Sequence, residues 1–249
     1  MIPYMRRKKI LELLHTKEFV YLDELVEYTG VSLATVRRDL KLFEEEGQVE
    51  FLQGGAAKIK VDVAERNVKE KLVINQDMKE IAAGYAATLV NDGQFIYIGP
   101  GTTEHWMFQG LGGKDVTVVT NGALHIDTII ENKINAKFLG GDLLNDISVV
   151  VGYDAIKQIE KMNFDKCFIG VSGFTIDRGA STSQYGVAEI NKLAISRSKK
   201  SYLLLDSTKV GKNSKYTFAS PEVFDSIIIA GPVSSEYLEL DNLYPVEMV

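Results

Sequence analysis

The sequence predicts an α/β protein with two domains, a winged helix-turn-helix followed by a larger α/β domain. Three observations predict this. Helical periodicity with a capped third helix occupies residues 6–40, and a short hairpin pattern follows at 49–59. After residue 92, short apolar strands alternate with helical stretches. That alternation is typical of a parallel sheet with ligand loops at the carboxyl ends of its strands.

Length and composition limit the class of protein. The chain has 249 residues, 45% hydrophobic and 25% charged, which suits a globular protein with a real core. No apolar run approaches the ~18 residues of a membrane span, and no signal-peptide core follows the basic start. The single cysteine, Cys167, excludes an internal disulfide. We therefore expect a cytoplasmic protein with no membrane partner.

The formal net charge of −6 at pH 7 argues against nucleic acid binding only at first sight. Residues 1–60 contain as many basic as acidic side chains, so the negative charge lies in residues 61–249. The basic residues cluster at 6–9 and 37–41. Local clusters decide contact with phosphates, whereas net charge only biases non-specific binding. We expect modest DNA affinity per monomer and a need for oligomerisation.

The first domain is predicted at residues 1–58, with a polar linker at 59–75. A helix spans Met5 to Leu14, and a second spans Leu22 to Thr29 before Gly30 ends it. Ser32 caps a third helix that extends to about Glu46. Its buried stripe is formed by Val36, Leu40 and Phe43, at i, i+4 and i+7. The hairpin that follows would be the wing.

The third helix presents a surface suited to a DNA major groove. Thr35, Arg37, Arg38 and Lys41 face away from the apolar stripe. Arginine can contact guanine edges with two hydrogen bonds, and threonine can contact a phosphate or a thymine methyl. Basic residues at the start of the chain would lie near the DNA backbone. The candidate DNA-binding residues are Arg6, Arg7, Ser32, Thr35, Arg37, Arg38 and Lys41. The alternative is a small helical subdomain whose charges are simply solvated.

These residues resemble a known family. Arg6-x3-Ile10-x3-Leu14, followed by Ser32-x2-Thr35-Val36-Arg37-Arg38-Asp39-Leu40, is similar to the signature of the DeoR family of bacterial transcriptional regulators. Gly54-Gly55-Ala56 resembles the end of the family's wing. The resemblance covers nearly the whole chain and implies a winged helix followed by a sugar-phosphate-sensing domain. It also implies that Asp39 holds the arginines in place. Phe51 and Gln53 stand where the family wing usually carries Arg and His, which puts wing contacts to phosphate in question.

The second domain, residues 76–249, is predicted to begin with an Ala-rich helix from Gln76 to Val90. The predicted strands cover residues 94–98, 116–120, 136–139, 166–171, 201–205 and 226–229. The first strand enters the loop Gly99-Pro-Gly-Thr-Thr103, where backbone N–H groups and threonine hydroxyls can bind an anion. The loop is neither a dinucleotide fingerprint nor a P-loop, so we expect no cofactor. The alternative is a tight turn that requires glycine.

Three further polar loops, which we expect to follow strands, extend the resemblance. In order and spacing, Gly101-Thr-Thr, Thr120-Asn121, Gly140-Gly141 and Asp165-Lys-x-Phe-Ile-Gly are similar to the effector domain of DeoR regulators, whose fold is similar to that of ribose-5-phosphate isomerase. The resemblance implies a phosphorylated sugar as ligand. The residues implied to hold its phosphate are Gly101, Thr102 and Thr103, and those implied to line the sugar site are Thr120, Asn121, Gly140, Gly141 and Asp165. Lys192 and Lys209 are candidate charge partners, with a solvated side chain as the alternative for either.

The alternative function is that of a sugar-phosphate isomerase. Isomerisation through an enediol requires a carboxylate base and supporting acid or base groups. The related isomerase carries the cluster Asp-Gly-x-Asp-Glu, but here only its first acid, Asp165, is present, and Glu189 would be a lone carboxylate. The histidines lack metal-ligand spacing, and Cys167 lies mid-strand. We therefore expect no catalysis and no metal site.

The sequence thus predicts a DNA-binding regulator, most simply a repressor of an operon for carbohydrate use. Its partners would be operator DNA, a phosphorylated sugar and further copies of the chain. A dimer or larger homo-oligomer would place two recognition helices on half-sites about one DNA turn apart.

Overall fold

The computed structural model describes residues 3–17, 19–45, 49–52, 54–59, 68–233 and 245–249 of the chain. The chain divides into two compact units, Met1–Arg66 and Asn67–Val249, each with its own hydrophobic core. The predicted linker, residues 59–75, contains the helix Val68–Val73, which belongs to the second unit. Among the described helices, none is both long and apolar enough to cross a bilayer.

The first unit packs three helices on a small antiparallel sheet, in strand order β1-β3-β2. The predicted helices and hairpin are confirmed, and the short strand β1 is an addition. The elements are α1 (Pro3–Thr16), β1 (Val20–Tyr21), α2 (Leu22–Thr29), α3 (Leu33–Glu45), β2 (Val49–Leu52) and β3 (Ala56–Ile59).

Local chemistry explains the turn between α2 and α3. Gly30 follows α2 with φ 69°, a left-handed conformation that glycine adopts without steric cost, and its N–H donates to the Val26 carbonyl. Ser32 then precedes α3, and its carbonyl accepts from the N–H groups of Thr35 and Val36. The predicted stripe of α3 is buried in the core of the unit.

The second unit is built around a parallel sheet. Its helices are α4 (Val68–Val73), α5 (Gln76–Thr88), α6 (Thr102–His105), α7 (Ile126–Glu131), α8 (Tyr153–Ile159) and α9 (Tyr185–Ser196). Its strands are β4 (Phe95–Ile98), β5 (Thr117–Thr120), β6 (Asn135–Phe138), β7 (Asp142–Leu144), β8 (Val149–Val151), β9 (Lys166–Gly170), β10 (Gly173–Thr175), β11 (Gly179–Thr182), β12 (Ser201–Asp206), β13 (Tyr216–Ala219), β14 (Ser226–Ala230) and β15 (Val246–Met248).

The main sheet has the strand order β15-β14-β12-β9-β4-β5-β6, with parallel neighbours throughout. Side chains of one strand alternate between two cores, since Tyr97 of β4 lies in one while Ile96 and Ile98 lie in the other. A sheet buried on both faces explains why its strands have nearly continuous apolar sequences. All six predicted strands belong to this sheet.

The order of the strands defines a switch point. From β4 the chain proceeds through β5 and β6 towards one edge of the sheet, then returns to β9 on the other side of β4 and continues outward. In open α/β sheets of this kind, ligands bind in the crevice at the carboxyl ends of the two central strands. That crevice lies between the loops after β4 and β9. Two smaller sheets, β7-β8 and β10-β11-β13, were not predicted.

Candidate functional site

Helix α3 carries an exposed basic surface. Arg37, Arg38 and Lys41 are exposed, on the side of the helix opposite Val36 and Leu40. None of the three basic side chains forms an ion pair with a residue that the structure describes. As far as the described residues show, their charges are available to an external anion.

The start of this surface is ordered by a serine and a threonine. The Ser32 and Thr35 hydroxyls lie 2.9 Å apart, and the Ser32 hydroxyl accepts from the Thr35 N–H at 3.4 Å. Ser32 is exposed and Thr35 half-buried. Both stand at the end of α3 that would enter a groove first.

Asp39 binds Arg6 and Arg7 of α1, and not Arg37 and Arg38, which precede it in the sequence. Its carboxylate accepts from Arg6 Nε at 2.5 Å and from Arg7 Nε at 3.0 Å, so α1 is tied to α3. The Arg6 side chain is only 14% exposed and that of Arg7 is 40% exposed. The Arg6 guanidinium is thus paired with a buried carboxylate, and its contact with the DNA backbone stays a prediction. Arg7 keeps an exposed portion.

We predict that Arg6→Met destabilises the first unit by about 1–3 kcal/mol, because buried Asp39 loses a charged donor. Burial works to raise the pKa of Asp39, but hydrogen bonds from Arg6 and Arg7 outweigh it and hold the pKa below its ordinary value. A depressed carboxyl pKa contributes stability above the unfolded pKa of about 3.9, and this is lost as pH falls through the folded value.

Urea unfolding at pH 7 and pH 3 measures this effect. The deficit of Arg6→Met should be large at pH 7 and smaller at pH 3, where Asp39 is closer to neutral in both proteins. Arg7→Met, which removes the more exposed partner, is the matched control and should cost less. An equal deficit at both pH values would contradict the assigned role of the ion pair.

The β2-β3 hairpin, the predicted wing, carries less positive charge than a segment that contacts DNA phosphates would need. In the β2-β3 hairpin, Glu50 lies 3.3 Å from the Lys58 ammonium, which neutralises that lysine in part. Phe51 packs partly against the core of the unit. Gly54 and Gly55 have φ of 95° and 79° and form the exposed turn. Gln53, which was also named in questioning wing contacts to phosphate, lies outside the described residues.

In the second unit, the loop Gly99–Thr103 lies at the switch point. Gly101 precedes α6 in an extended conformation, and its carbonyl accepts from the His105 N–H at 3.1 Å. Thr102 and Thr103 are buried in the first turn. Lys209, in the turn after β12, places its ammonium 3.4 Å from the Thr103 hydroxyl. The structure thus joins four predicted effector residues, Gly101, Thr102, Thr103 and Lys209.

Asp206 supports that lysine. It is the last residue of β12 and is almost fully buried. Its carboxylate lies 3.6 Å from the Lys209 ammonium and accepts from the Thr208 hydroxyl and the Asn75 amide. The Lys209 side chain is therefore held at the carboxyl edge of the sheet. Asp206 was not predicted, although an acid at the end of an apolar strand is a signal that could have identified it.

Glu104 occupies the crevice itself. Its Oε1 accepts from the Gly170 N–H at 2.6 Å and from the Gly101 N–H at 3.3 Å, so the side chain joins the loops after β4 and β9. Its Oε2 is buried and has no hydrogen-bond partner among the described residues. Burial raises the pKa of Glu104 above its ordinary value. No sequence pattern indicated this role for Glu104, because an acid at a helix start is usually solvated.

Lys79 is a further unpredicted cation at the same edge. It lies in the first turn of α5 with only 3% of the residue exposed. Its ammonium donates to the carbonyl of Lys71 in α4. It also interacts electrostatically with Lys209, Asp206 and Glu104. Lys79 could have been identified from the sequence by its position on the buried face of α5, three residues before Ala82.

Two predicted sugar contacts are used internally. The Asn121 amide accepts from the Tyr97 hydroxyl at 2.8 Å and donates to the Val150 carbonyl at 2.8 Å. The Thr120 hydroxyl accepts from the Gly122 N–H at 3.2 Å. Thr120 and Asn121 are both fully buried. Their side chains therefore hold the loop after β5, and their contact with a sugar stays a prediction.

Gly140 and Gly141 lie beside α8. Both polar ends of the Gln158 amide bind the backbone of Gly140, at 3.2 Å and 3.0 Å. Gly141 has φ 151°, and a side chain there would overlap the Val151 carbonyl. Both glycines line a shallow groove whose other residues are Asp154, Lys157, Gln158 and Lys161. This groove shares no described residue with the Thr103–Lys209 contact.

Two other residues predicted to bind the effector, Asp165 and Lys192, lie away from the Thr103–Lys209 contact. Asp165 precedes β9 instead of following a strand, and its carboxylate binds the Phe95 N–H and the Lys199 ammonium. It therefore lies at the amino edge of the parallel sheet, opposite the crevice, and its assignment to the sugar site is corrected. Lys192 is exposed on α9, and no described contact brings it to the loop.

The remaining reactive side chains do not form an evident catalytic site. His105 and His125 are neighbours, with their Nδ1 atoms 3.4 Å apart, and burial lowers the pKa of His125 to about 3. Burial also raises the pKa of the Cys167 thiol to about 11. Within the described residues, no group of three or more His, Cys, Asp or Glu is placed to hold a metal ion.

Comparison with known families assigns both units. Residues 6–61 match the DeoR-like helix-turn-helix domain. Residues 74–230 match the DeoR C terminal sensor domain. The two matches together cover most of the chain. Each match lies within one of the two compact units.

Relatives match over nearly their full length. One is an HTH-type transcriptional regulator, FruR, of Bacillus subtilis, 33% identical over 97% of this chain and 95% of the relative. Another is the lactose phosphotransferase system repressor of Staphylococcus aureus, 32% identical over 92% of both chains. Among solved structures, ribose 5 phosphate isomerase A from Neisseria gonorrhoeae resembles the chain at a TM-score of 0.40 and 20% identity, over 53% of this chain and 52% of that one.

Proposed function

Because the chain belongs to the DeoR family of transcriptional regulators, and is a regulator rather than an enzyme, we propose that it represses an operon for carbohydrate use and releases its operator when a phosphorylated sugar binds the second unit. The observation that carries the proposal is the pair of exposed arginines, Arg37 and Arg38, on the capped helix α3, neither of which forms an ion pair with a residue that the structure describes.

The DNA-binding part of the proposal is supported by the geometry of α3. A helix that is buried on one side and basic on the other can enter the major groove without disturbing its own core. Ser32 and Thr35 would contact phosphate at its start, and Arg37, Arg38 and Lys41 would lie along the groove. Two copies would be needed to bind two half-sites, so the active form would be a dimer or a larger oligomer.

The effector part is supported by the loop after β4. A phosphate could accept hydrogen bonds from the Thr102 and Thr103 hydroxyls and pair with the Lys209 ammonium, which already lies 3.4 Å from Thr103. The sugar would then extend along the carboxyl edge of the sheet. A relative named as the repressor of a lactose phosphotransferase system supports a carbohydrate as the signal.

Regulation would require the ligand to discriminate between two states. A sugar phosphate shifts DNA binding only if it binds the DNA-competent and DNA-incompetent arrangements with different affinity. We propose that it binds the incompetent arrangement better, which gives induction. A thermal-shift screen of sugar phosphates, followed by gel shifts on the protein's own promoter region with and without the hit, tests the whole proposal. No promoter binding at low salt in either condition would refute it.

We predict that Thr102→Val and Thr103→Val each weaken the effector response by roughly tenfold and leave operator binding unchanged, because a hydroxyl donor to a charged phosphate is lost without a change of shape. The ligand concentration that releases half of the DNA is the quantity to measure. Thr88→Val, in the last turn of α5, is the matched control. A full response from both variants would place the phosphate elsewhere.

A further inference from the structure

Two buried histidines lie against the loop after β4, and neither has a role in the site described so far. His125 ends the turn Ala123–His125 after β5 and is fully buried, whereas His105 ends α6 with 9% of the residue exposed. The Nε2 atom of His125 is 3.0 Å from the Gly99 carbonyl oxygen, and the two Nδ1 atoms are 3.4 Å apart. The Nε2 atom of His105 is 3.4 Å from the Thr128 hydroxyl of α7. These four groups form one line of hydrogen bonds, from α7 to the loop.

Both rings are neutral near pH 7. Burial lowers the pKa of His125 to about 3, and burial also lowers the pKa of His105 below its ordinary value. A neutral imidazole carries one N–H and one bare nitrogen, so it donates at one end and accepts at the other. The neighbours of each ring therefore decide which of its nitrogens carries the proton.

The Gly99 carbonyl fixes the proton positions along the line. A carbonyl oxygen can only accept, so His125 carries its proton on Nε2 and its Nδ1 is bare. The hydrogen bond between the two Nδ1 atoms needs one proton, which His105 must then supply from its own Nδ1. The Nε2 atom of His105 is left bare and accepts from the Thr128 hydroxyl. The two histidines are thus held in opposite tautomers.

The carbonyl at the end of the line governs the path of the loop. The Gly99 N–H donates to the Phe168 carbonyl of β9 at 2.9 Å, so both backbone polar groups of Gly99 are held. Its carbonyl lies in one plane with the nitrogen of Pro100, which has no N–H of its own to fix the chain. The direction of the Gly99 carbonyl therefore sets how the chain enters Gly101 and the first turn of α6.

Packing around His125 confines the ring that holds this carbonyl. The ring of Phe108 lies against it, with 4.8 Å between the ring centroids. On another side, a Cβ atom at Gly122 would lie 2.6 Å from the His125 ring and 2.8 Å from the Cα atom of Pro100. The loops after β4 and β5 can therefore approach the ring only because residue 122 is a glycine. This packing keeps Nε2 directed at the Gly99 carbonyl.

We propose that His125, with His105 behind it, is a positioning residue of the effector site, which holds the loop after β4 in the conformation that receives the phosphate. The inference rests on the proposed function, because it takes the ligand to bind at Thr102 and Thr103. Neither histidine contacts the ligand. The loop is instead ordered before the ligand arrives, so less freedom is lost on binding and affinity is higher.

The proton positions are tested by NMR on the full chain labelled with ¹⁵N-histidine, at pH 7 and without ligand. The chain has three histidines, so single substitutions assign each ring. Two-bond ¹H–¹⁵N spectra should show His125 protonated on Nε2 and His105 protonated on Nδ1. The same tautomer in both rings, or a proton on Nδ1 of His125, would overturn the proposal.

The positioning role is tested by isothermal titration of the full chain with the sugar phosphates of the screen and with inorganic phosphate. His125→Leu keeps a similar volume but loses the donor, and it should weaken binding at least roughly fivefold. His125→Gln places an amide N–H near the position of Nε2 and should recover most of the affinity. Both variants should bind operator DNA as the wild type does.

The rescue by glutamine distinguishes positioning from a general loss of packing. An equal loss of affinity in the two variants, or wild-type affinity in a folded His125→Leu, would overturn the inference. If neither variant folds, the tautomers of the wild type still decide. A wild type that binds none of the phosphate compounds refutes the proposed function, whereas a wild type that binds them while His125→Leu binds equally well refutes this inference alone.

Discussion

Replacing Arg37 or Arg38 with alanine is expected to cost about 1–3 kcal/mol of specific operator binding in each case. The physical reason is that both guanidiniums are exposed on α3 and have no ion-pair partner among the described residues, so they are available to base edges and phosphates. The fold should not change, because the buried face of the helix is formed by other residues. Fluorescence anisotropy with the promoter region measures the loss.

The salt dependence of binding separates two roles for these arginines. A variant that loses a base contact should relax sequence preference, whereas a variant that loses a phosphate contact should weaken binding to all sequences and reduce the salt slope by about 1. Arg178→Ala, which removes an exposed arginine of the second unit that pairs with Asp177, is the control. Wild-type operator binding by both variants would remove α3 as the recognition helix.

Replacing Gly170 with alanine is expected to destabilise the second unit by about 1–3 kcal/mol and to disrupt the ligand site. A Cβ atom at this position would overlap Oε2 of Glu104, which is fully buried and cannot move into solvent. The same substitution would disturb the hydrogen bond from the Gly170 N–H to Oε1. Calorimetric unfolding of the full chain measures the stability of this unit.

A double-mutant cycle identifies the cause. Glu104→Ala alone should destabilise the protein, because two backbone N–H groups lose their acceptor. With Gly170→Ala added, the total should be smaller than the sum of the single effects, because the overlap is gone. Gly84→Ala, on an exposed position of α5 with open space around it, should instead stabilise by about 0.5–1 kcal/mol. Additive effects of Glu104→Ala and Gly170→Ala would show that the glycine is required for another reason.

The order of elements was accessible from the sequence because its signals are local. The helix cap at Ser32, the glycine after α2 and the apolar stripe of α3 lie within a few residues of one another. The parallel strands were accessible for the same reason, since burial on both faces produces continuous apolar runs. The short strands β7, β8, β10, β11 and β13 were missed, because their pairing in two smaller sheets depends on contacts between segments that the sequence pattern does not reveal.

The candidate site was easiest to predict where its residues are neighbours in the sequence, as in the loop that holds Gly101, Thr102 and Thr103. Lys209, a candidate from the resemblance alone, has its ammonium 3.4 Å from the Thr103 hydroxyl. Asp165 was placed at the wrong edge of the sheet, because a polar residue beside a strand does not reveal which end of the strand it occupies. Thr120 and Asn121 lie at the carboxyl edge as expected, but their polar groups are consumed by buried partners.

The sequence by itself determined the family, the two-part architecture and the basic face of α3, all of which depend on patterns within short segments. Tertiary structure alone decided which charges pair and which remain available. Arg6 is bound by Asp39, Glu104 fills the crevice between β4 and β9, and buried Lys79 donates to the Lys71 carbonyl. Electrostatic interactions depend on distance and desolvation, and these are set by contacts between residues far apart in the chain.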